Sequence, residues 1–134
     1  MIPDTDRGDC SSLRVLVVDD DPGVAESLVE YLSDFGIDAI AEASARQALE
    51  CFKAGSYDVA VVDMRLPEMR GDELILRAYE VSPETGFLIA TGSINFELSD
   101  ELKQIGIRPE HVFQKPVTDM TRIISAIEAL AGKS

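Results

Sequence analysis

Apolar residues along this chain alternate between two patterns: short continuous runs and stripes spaced by three and four. Leu13 to Val18 is a run broken only by Arg14, and Val59 to Val62 is unbroken. Runs of this kind predict strands covered on both faces. Ile37 to Ala41 is weaker and mixed in polarity, which predicts an edge strand. Gly86 to Ala90 and His111 to Gln114 predict two more strands. Between the runs lie helical stripes: Val24, Leu28, Tyr31, Leu32 and Phe35; then Ala48, Leu49 and Phe52; then Leu74, Ile75, Ala78 and Val81; and last Met120, Ile123, Ile124, Ile127 and Leu130. A further helix over about Phe96 to Ile105 has a poorer pattern, and Ile107-Arg108-Pro109-Glu110 is expected to loop out after it.

The punctuation agrees with the periods. Asp21 is placed to cap the first helix, and Pro22 fits its first turn, where no backbone N–H is needed. Gly36 is placed to end that helix. Ser44-Ala45-Arg46-Gln47 has the form of a capping box, Gly55 stops the second helix, and Gly71 with Asp72 opens the third. Pro83 and Gly132 close later segments.

Strand followed by helix, five times over, predicts an α/β fold: a five-stranded parallel sheet with helices on both faces. Right-handed crossovers leave few topologies. In the doubly wound, flavodoxin-like order 2-1-3-4-5, strand order reverses between the first and third strands, and ligands bind outside the carboxyl ends there. Those two strands end in acids, Asp19-Asp20-Asp21 on the first and Asp63 on the third.

Residues 1–12 are polar and aperiodic and read as a flexible leader; residues 13–132 read as one domain, with no linker, repeat or second domain in the pattern. Apolar residues make up 46% of the chain and tryptophan is absent, so aliphatic side chains must fill the core. A net charge of −13 argues against a nucleic-acid surface and against an anionic membrane surface. The acidic excess is either a solvated face or, in part, a cation site. Cys10 and Cys51 make neither a disulfide framework nor a zinc site. Cys51 falls on a helical face and is expected to serve as a small buried apolar residue. There is no signal-peptide pattern and no run of membrane-spanning length, so a cytoplasmic location is expected.

Several carboxylates converging in a small space repel one another, and a hard divalent cation removes that conflict. Magnesium takes oxygen ligands and commonly uses one or two carboxylates plus phosphate oxygens. Asp20 and Asp63 are therefore expected as direct ligands, Asp19 as a ligand directly or through water, and a main-chain carbonyl near Arg65 as a further oxygen; manganese is the alternative ion. Thr91 ends the fourth strand with a hydroxyl, Gly92 leaves a backbone N–H open, and Lys115 ends the fifth strand with a positive charge. With Met64 these make the expected phosphate-binding set. Such a site suits phosphoryl transfer, which needs positioning and charge neutralisation more than other covalent work. Asp63 is the expected nucleophile, forming an aspartyl phosphate. Each part also has an ordinary reading: the triple acid as a helix N-terminus, Thr91 as a helix cap, Lys115 as a surface lysine, Pro116 as a trans turn proline.

Four pieces together resemble the receiver domain (CheY-like) of the two-component response-regulator family: Val17-Val18-Asp19-Asp20-Asp21-Pro22, Val61 to Gly71, Ile89-Ala90-Thr91-Gly92, and Gln114-Lys115-Pro116. The resemblance covers residues 13–131. It implies phosphoryl transfer to Asp63 from the phosphohistidine of a sensor histidine kinase or phosphotransfer protein, and magnesium on the pair Asp19 and Asp20. It implies Thr91 as the hydroxyl that turns toward the phosphoryl group, Lys115 as its ion partner, and a cis bond before Pro116. It also implies slow self-catalysed hydrolysis. The output surface would be the fourth helix, fifth strand and fifth helix, offered to a downstream protein or used for homodimerisation. The chain is read as a stand-alone receiver: a signalling switch, not a turnover enzyme.

One departure stands out. Family members often carry Tyr or Phe three residues before the lysine, and here that position is Val112. Valine cannot make an aromatic in–out movement, so the switch involving Thr91 and Val112 is either relayed differently or shifted in register. Strand alternation puts Phe113 on the other face, so it is no simple substitute. Two other signals fail. Ala131-Gly132-Lys133-Ser134 mimics the end of a phosphate-binding loop, but Ile127 stands where its glycine is needed. His111 is the only histidine and is expected to be structural or exposed. The competing functions are an aspartate-nucleophile phosphatase of haloacid-dehalogenase type, which the Pro22-Gly23 pair does not fit, and a receiver-like scaffold without phosphorylation.

Overall fold

A computed structural model describes residues 13–55, 57–93, 95–115, 117 and 119–132. The expected leader with Cys10, and the expected cis bond at Pro116, lie outside the described residues. In chain order the elements are β1 (Arg14–Val18), α1 (Pro22–Asp34), β2 (Asp38–Glu42), α2 (Ala45–Ala54), β3 (Val59–Asp63), α3 (Gly71–Val81), β4 (Gly86–Thr91), α4 (Asp100–Gln104), a 3₁₀ turn (Pro109–His111), β5 (Val112–Gln114) and α5 (Met120–Gly132).

The sheet runs β2-β1-β3-β4-β5, every pairing parallel, which is the expected order 2-1-3-4-5. Because both faces are covered, alternate residues of one strand enter two different cores. Leu16 and Val18 of β1 join Phe52, Ile75, Ile89 and Leu102 on one side. Val15 and Val17 join Leu32, Val61, Phe113 and Ile127 on the other. That division is why β1 and β3 read as continuous apolar runs. β2 is an edge strand, as expected, and most of its residues keep some exposure.

Caps follow the sequence closely. The Asp21 carboxylate accepts the N–H groups of Gly23 (3.1 Å) and Val24 (3.3 Å), and Gly36 takes a φ of 82° just past α1. At α2, Ser44 Oγ accepts the Gln47 N–H at 3.1 Å, the forward half of the expected box. The first N–H groups of that helix are instead satisfied from afar: Glu68 Oε1 accepts Ala45 N–H at 3.0 Å and Arg46 N–H at 3.5 Å.

The helical stripes hold at their centres and fail at their ends. Val24 is 43% exposed and Phe35 56%, while Ala25 takes the buried place beside Leu32. Phe35 is the C-cap of α1 and packs on Tyr31 at 5.0 Å instead of entering the core. Val81, the last residue of α3, is likewise 45% exposed. The fourth helix is shorter than expected. Ser99 Oγ caps it by accepting Leu102 N–H at 3.2 Å, so it starts at Asp100, and Gly106 at φ 104° follows its end. Phe96 and Leu98 pack against the core from a non-helical segment. Nor does Ile107 loop out; it is buried, and only the neighbouring Arg108, Pro109 and Glu110 are exposed. His111 belongs to the 3₁₀ turn and not to β5, its Nδ1 accepting Arg108 N–H at 3.0 Å.

Gly71 opens α3 directly against the end of β3. A Cβ there would lie 2.4 Å from the Asp63 carbonyl oxygen and 2.8 Å from Met64 Cα. Both are backbone contacts and cannot step aside without moving the strand end. Gly71→Ala is therefore expected to cost about 1–3 kcal/mol of stability. Urea unfolding should show a lower midpoint for it, and an unchanged midpoint would mean the strand end is looser than this packing implies.

Candidate functional site

The site forms where β1, β3, β4 and β5 end side by side. Val18 pairs with Val62, and Asp63 with Ala90, so the next residue of β1 and the last of β3 come out together. Asp19 and Asp63 are each only 5% exposed. Asp20 is exposed, yet carboxylate oxygens of Asp19, Asp20 and Asp63 all lie within 4.8 Å of one another. Among the described residues this is the one grouping of acids, histidines or cysteines able to hold a metal ion.

The buried pair is tied down by specific donors. Asp19 Oδ1 accepts the Asp21 N–H at 2.9 Å, and Asp63 Oδ1 accepts the Arg65 N–H at 3.2 Å. Their second oxygens share one cation: Lys115 Nζ donates to Asp19 Oδ2 at 3.0 Å and to Asp63 Oδ2 at 3.2 Å. Lys115 is itself anchored by its backbone N–H, which donates to the Thr91 carbonyl at 2.8 Å. Three carboxylates against one ammonium leave two negative charges in a small space. All the acidic donors are hard oxygens, so the set suits a divalent cation of the magnesium or calcium kind.

Burial, and after it the charge of Asp19, raise the Asp63 pKa above its ordinary value, against the opposing pull of the Arg65 N–H and the Lys115 ammonium. For Lys115 burial works downward, but its hydrogen bonds and charge pairing with Asp19 and then Asp63 outweigh it and raise the pKa. The lysine is therefore firmly cationic, while burial makes the Asp63 anion costly.

The remaining expected residues fall into place unequally. Thr91 is buried at the last position of β4, and its Oγ1 accepts the Ser93 N–H at 3.1 Å. It does not cap α4, a place taken by Ser99. A Cβ on Gly92 would meet nothing within 4 Å, so the protein leaves open space there. Arg65 reaches Asp63 through its backbone N–H, and the residue is otherwise exposed. Met64 is buried, and its N–H is donated to the Ala90 carbonyl at 3.2 Å. Val112 pairs with Ile89, two residues before Thr91, and so lies on the same sheet face as Thr91. Phe113 faces the other way, buried, with the Arg122 guanidinium 4.4 Å from its ring centroid. Cys51 is half-buried beside Glu42, and its thiol pKa is raised by burial and by that carboxylate, so it is poorly nucleophilic.

Two residues matter to the site beyond those the sequence singled out for chemistry. Glu68 ties the loop after Asp63 to the N-terminus of α2. Gly71, read from sequence only as part of a cap, lets α3 pack on the Asp63 backbone.

A carboxyl whose pKa is raised on folding costs stability when ionised. That cost sets in as pH rises from the ordinary value of 3.8 through the raised one, and is complete above it. Asp63→Asn is therefore expected to raise the thermal midpoint at neutral pH in chelator-treated buffer, with the gain over wild type shrinking as pH falls toward 3.8. Equal midpoints at every pH would show that Lys115 fully offsets the burial.

Comparison with known proteins fits this arrangement. The family profile of the response regulator receiver domain matches residues 15–128. A response regulator receiver protein of Anaeromyxobacter is 29% identical over 104 residues, 78% of this chain and 43% of that protein. The chain thus spans less than half the length of that relative. The receiver domain of a Francisella response regulator superposes with a TM-score of 0.76 at 26% identity, covering 91% of this chain and 98% of the other. A Burkholderia pseudomallei response regulator, solved with a phosphorylated aspartic acid, a calcium ion and citrate, has the same fold (TM-score 0.77, 22% identity, 91% and 70% covered). Among the described residues no helix is long and apolar enough to cross a membrane. With the receiver profile running from β1 into α5 across every strand that bears a site residue, the chain belongs to the response regulator receiver-domain family.

Proposed function

We propose that this chain is a phosphoryl-accepting signalling switch whose acceptor is Asp63. The observation that supports this most is the placement of Lys115 between Asp19 and Asp63, with Asp20 completing a group of three acids. The donor is the phosphohistidine of a sensor histidine kinase or phosphotransfer protein. An Asp63 carboxylate oxygen forms the new P–O bond, the P–N bond to the donor imidazole breaks, and that nitrogen keeps the bonding pair and is reprotonated from water. Lys115 holds its ammonium against the acceptor carboxylate, and Thr91 offers a hydroxyl proton from the next strand. The open space at Gly92 leaves room for phosphoryl oxygens. Engagement of the Met64 N–H requires its bond to the Ala90 carbonyl to be shared.

Asp19, Asp20 and Asp63, with a carbonyl near Arg65, would hold magnesium, or manganese in its place. The ion supplies neutralisation of the crowded oxygens. The reading further places the protein in the cytoplasm, with an α4-β5-α5 surface that meets a downstream protein or a second copy of the chain. A phosphatase of haloacid-dehalogenase type gains nothing from the geometry. It would need a second acid two residues after its nucleophile, and Asp21 is committed to capping α1.

Purified protein given acetyl phosphate and magnesium should gain one phosphate by intact mass. The gain should vanish with chelator and in Asp63→Asn. No uptake by a folded wild type would leave a scaffold, and rapid turnover with nothing retained would favour a phosphatase. Arg65, two residues past the acceptor and exposed, is proposed to screen the phosphoryl group from water. Arg65→Ala should lose phosphate severalfold faster in a timed mass series, and an unchanged rate would remove that role.

A further inference from the structure

Val112 leaves the expected aromatic of the switch missing, and the structure offers a replacement in another element. A chain of hydrogen bonds leads away from Thr91. Its Oγ1 accepts the Ser93 N–H at 3.1 Å, and Ser93 Oγ accepts the Asn95 N–H at 3.3 Å. The next residue is Phe96, half-buried and packed against the core on the α3–α4 side. Two hollows meet at Phe96. One, of about 310 Å³, is also bounded by Met64, Thr91 and Leu102. The other, of about 460 Å³, is bounded by Leu98, Pro109 and Val112. A side chain with free volume on both sides can pass between them without opening the core, unlike a close-packed one. Phe113, the aromatic nearest in sequence to Val112, has no such freedom, being buried on the opposite face beneath Arg122.

We infer that Phe96 is the moving aromatic that couples Thr91 to the Val112 surface. This rests on the reading of Asp63 as a phosphoryl acceptor. When the Thr91 hydroxyl turns to a phosphoryl group on Asp63, the Ser93 N–H loses its acceptor. Ser93 and Asn95 are then released, and Phe96 shifts from the groove over Val112 into the hollow beside Thr91. The small side chain at Val112 follows from the arrangement: an aromatic there would fill the groove that Phe96 uses. The moving part lies in the segment before α4 instead of in the fifth strand, and the surface it reshapes is the same.

The test follows the Val112 methyl resonances by NMR, with magnesium and beryllofluoride as the phosphoryl stand-in. In the wild type they should shift as the Phe96 ring leaves them. In Phe96→Leu the shift should disappear, and in Ser93→Ala it should shrink, while both variants gain one phosphate from acetyl phosphate by intact mass. Phe96→Trp gives a second measurement, since the chain has no other tryptophan; its indole emission should change on phosphorylation. Val112 shifts that persist in Phe96→Leu, or an indole emission of Phe96→Trp that stays fixed in fully phosphorylated protein, would overturn the inference while leaving Asp63 as acceptor. Absence of phosphate uptake by the wild type would defeat the acceptor reading and the relay together.

Discussion

Asp19 and Asp63 end neighbouring strands nearly out of reach of water, and the ammonium of Lys115, 3.0 Å from one and 3.2 Å from the other, is what lets the sheet hold both. Two buried like charges would otherwise force one carboxyl to take up a proton or push the strand ends apart. The lysine comes from beyond β5, two strands away from β3, so the pairing also closes the top of the sheet across β4. Its backbone N–H on the Thr91 carbonyl fixes where the ammonium can reach. Compensation is incomplete in charge, because one cation serves three acids. The net negative charge that remains is of the kind a divalent cation would neutralise.

The rest of the fold works to keep that geometry stiff. Doubly covered strands place β1 and β3 in the centre of the sheet, where neither can slide without breaking two cores at once. Gly71 allows α3 to begin in contact with the Asp63 backbone, and Glu68 fastens the intervening loop to α2. Asp63 is thus held from behind by its strand, from the side by Lys115 and from the front by a loop with two anchors. The Thr91 hydroxyl is held more lightly, by the hydrogen bond from Ser93, in a segment bordered by hollows. Asp63 is the more firmly held of the two groups and the Thr91 hydroxyl the less, the division that the proposed switch would use.

Legibility in the sequence tracks how local the determining physics is. The runs in β1 and β3, the Asp21 cap, Gly36 and the acids at the strand ends are set by neighbours a few residues away, and the pattern shows them. The order 2-1-3-4-5 is legible because chirality leaves few ways to wind five βα units. Val24, Phe35 and Val81 depart from their stripes because periodicity does not tell which end residues of a helix the neighbouring elements cover. α4 is shorter than its pattern because Phe96 and Leu98 satisfy a helical spacing while packing from a non-helical segment, and Ser99 sets the true start. The Glu68 contact with α2 joins residues 23 apart, and the clash that forbids a Cβ at Gly71 is with a strand end eight residues back. Neither leaves a pattern in the sequence.

The acidic balance of the chain takes a different meaning once the site is built. Twenty-five acids against twelve lysines and arginines are, for the most part, a solvated surface. Exposed pairs such as Arg77 with Glu73 contribute little there. Asp19, Asp20 and Asp63 differ, and their value lies in an unfavourable state. Burial raises the free energy of the Asp63 anion. On the proposed reading, a phosphoryl group on Asp63 would form an acyl phosphate and carry negative charge outward, toward Thr91 and the open space at Gly92. New contacts for that group would lie on the Thr91 side of β4. That is the side on which Val112, Phe96 and α4 lie. In the proposed switch, the direction of the signal follows from which face of the sheet the hydroxyl occupies.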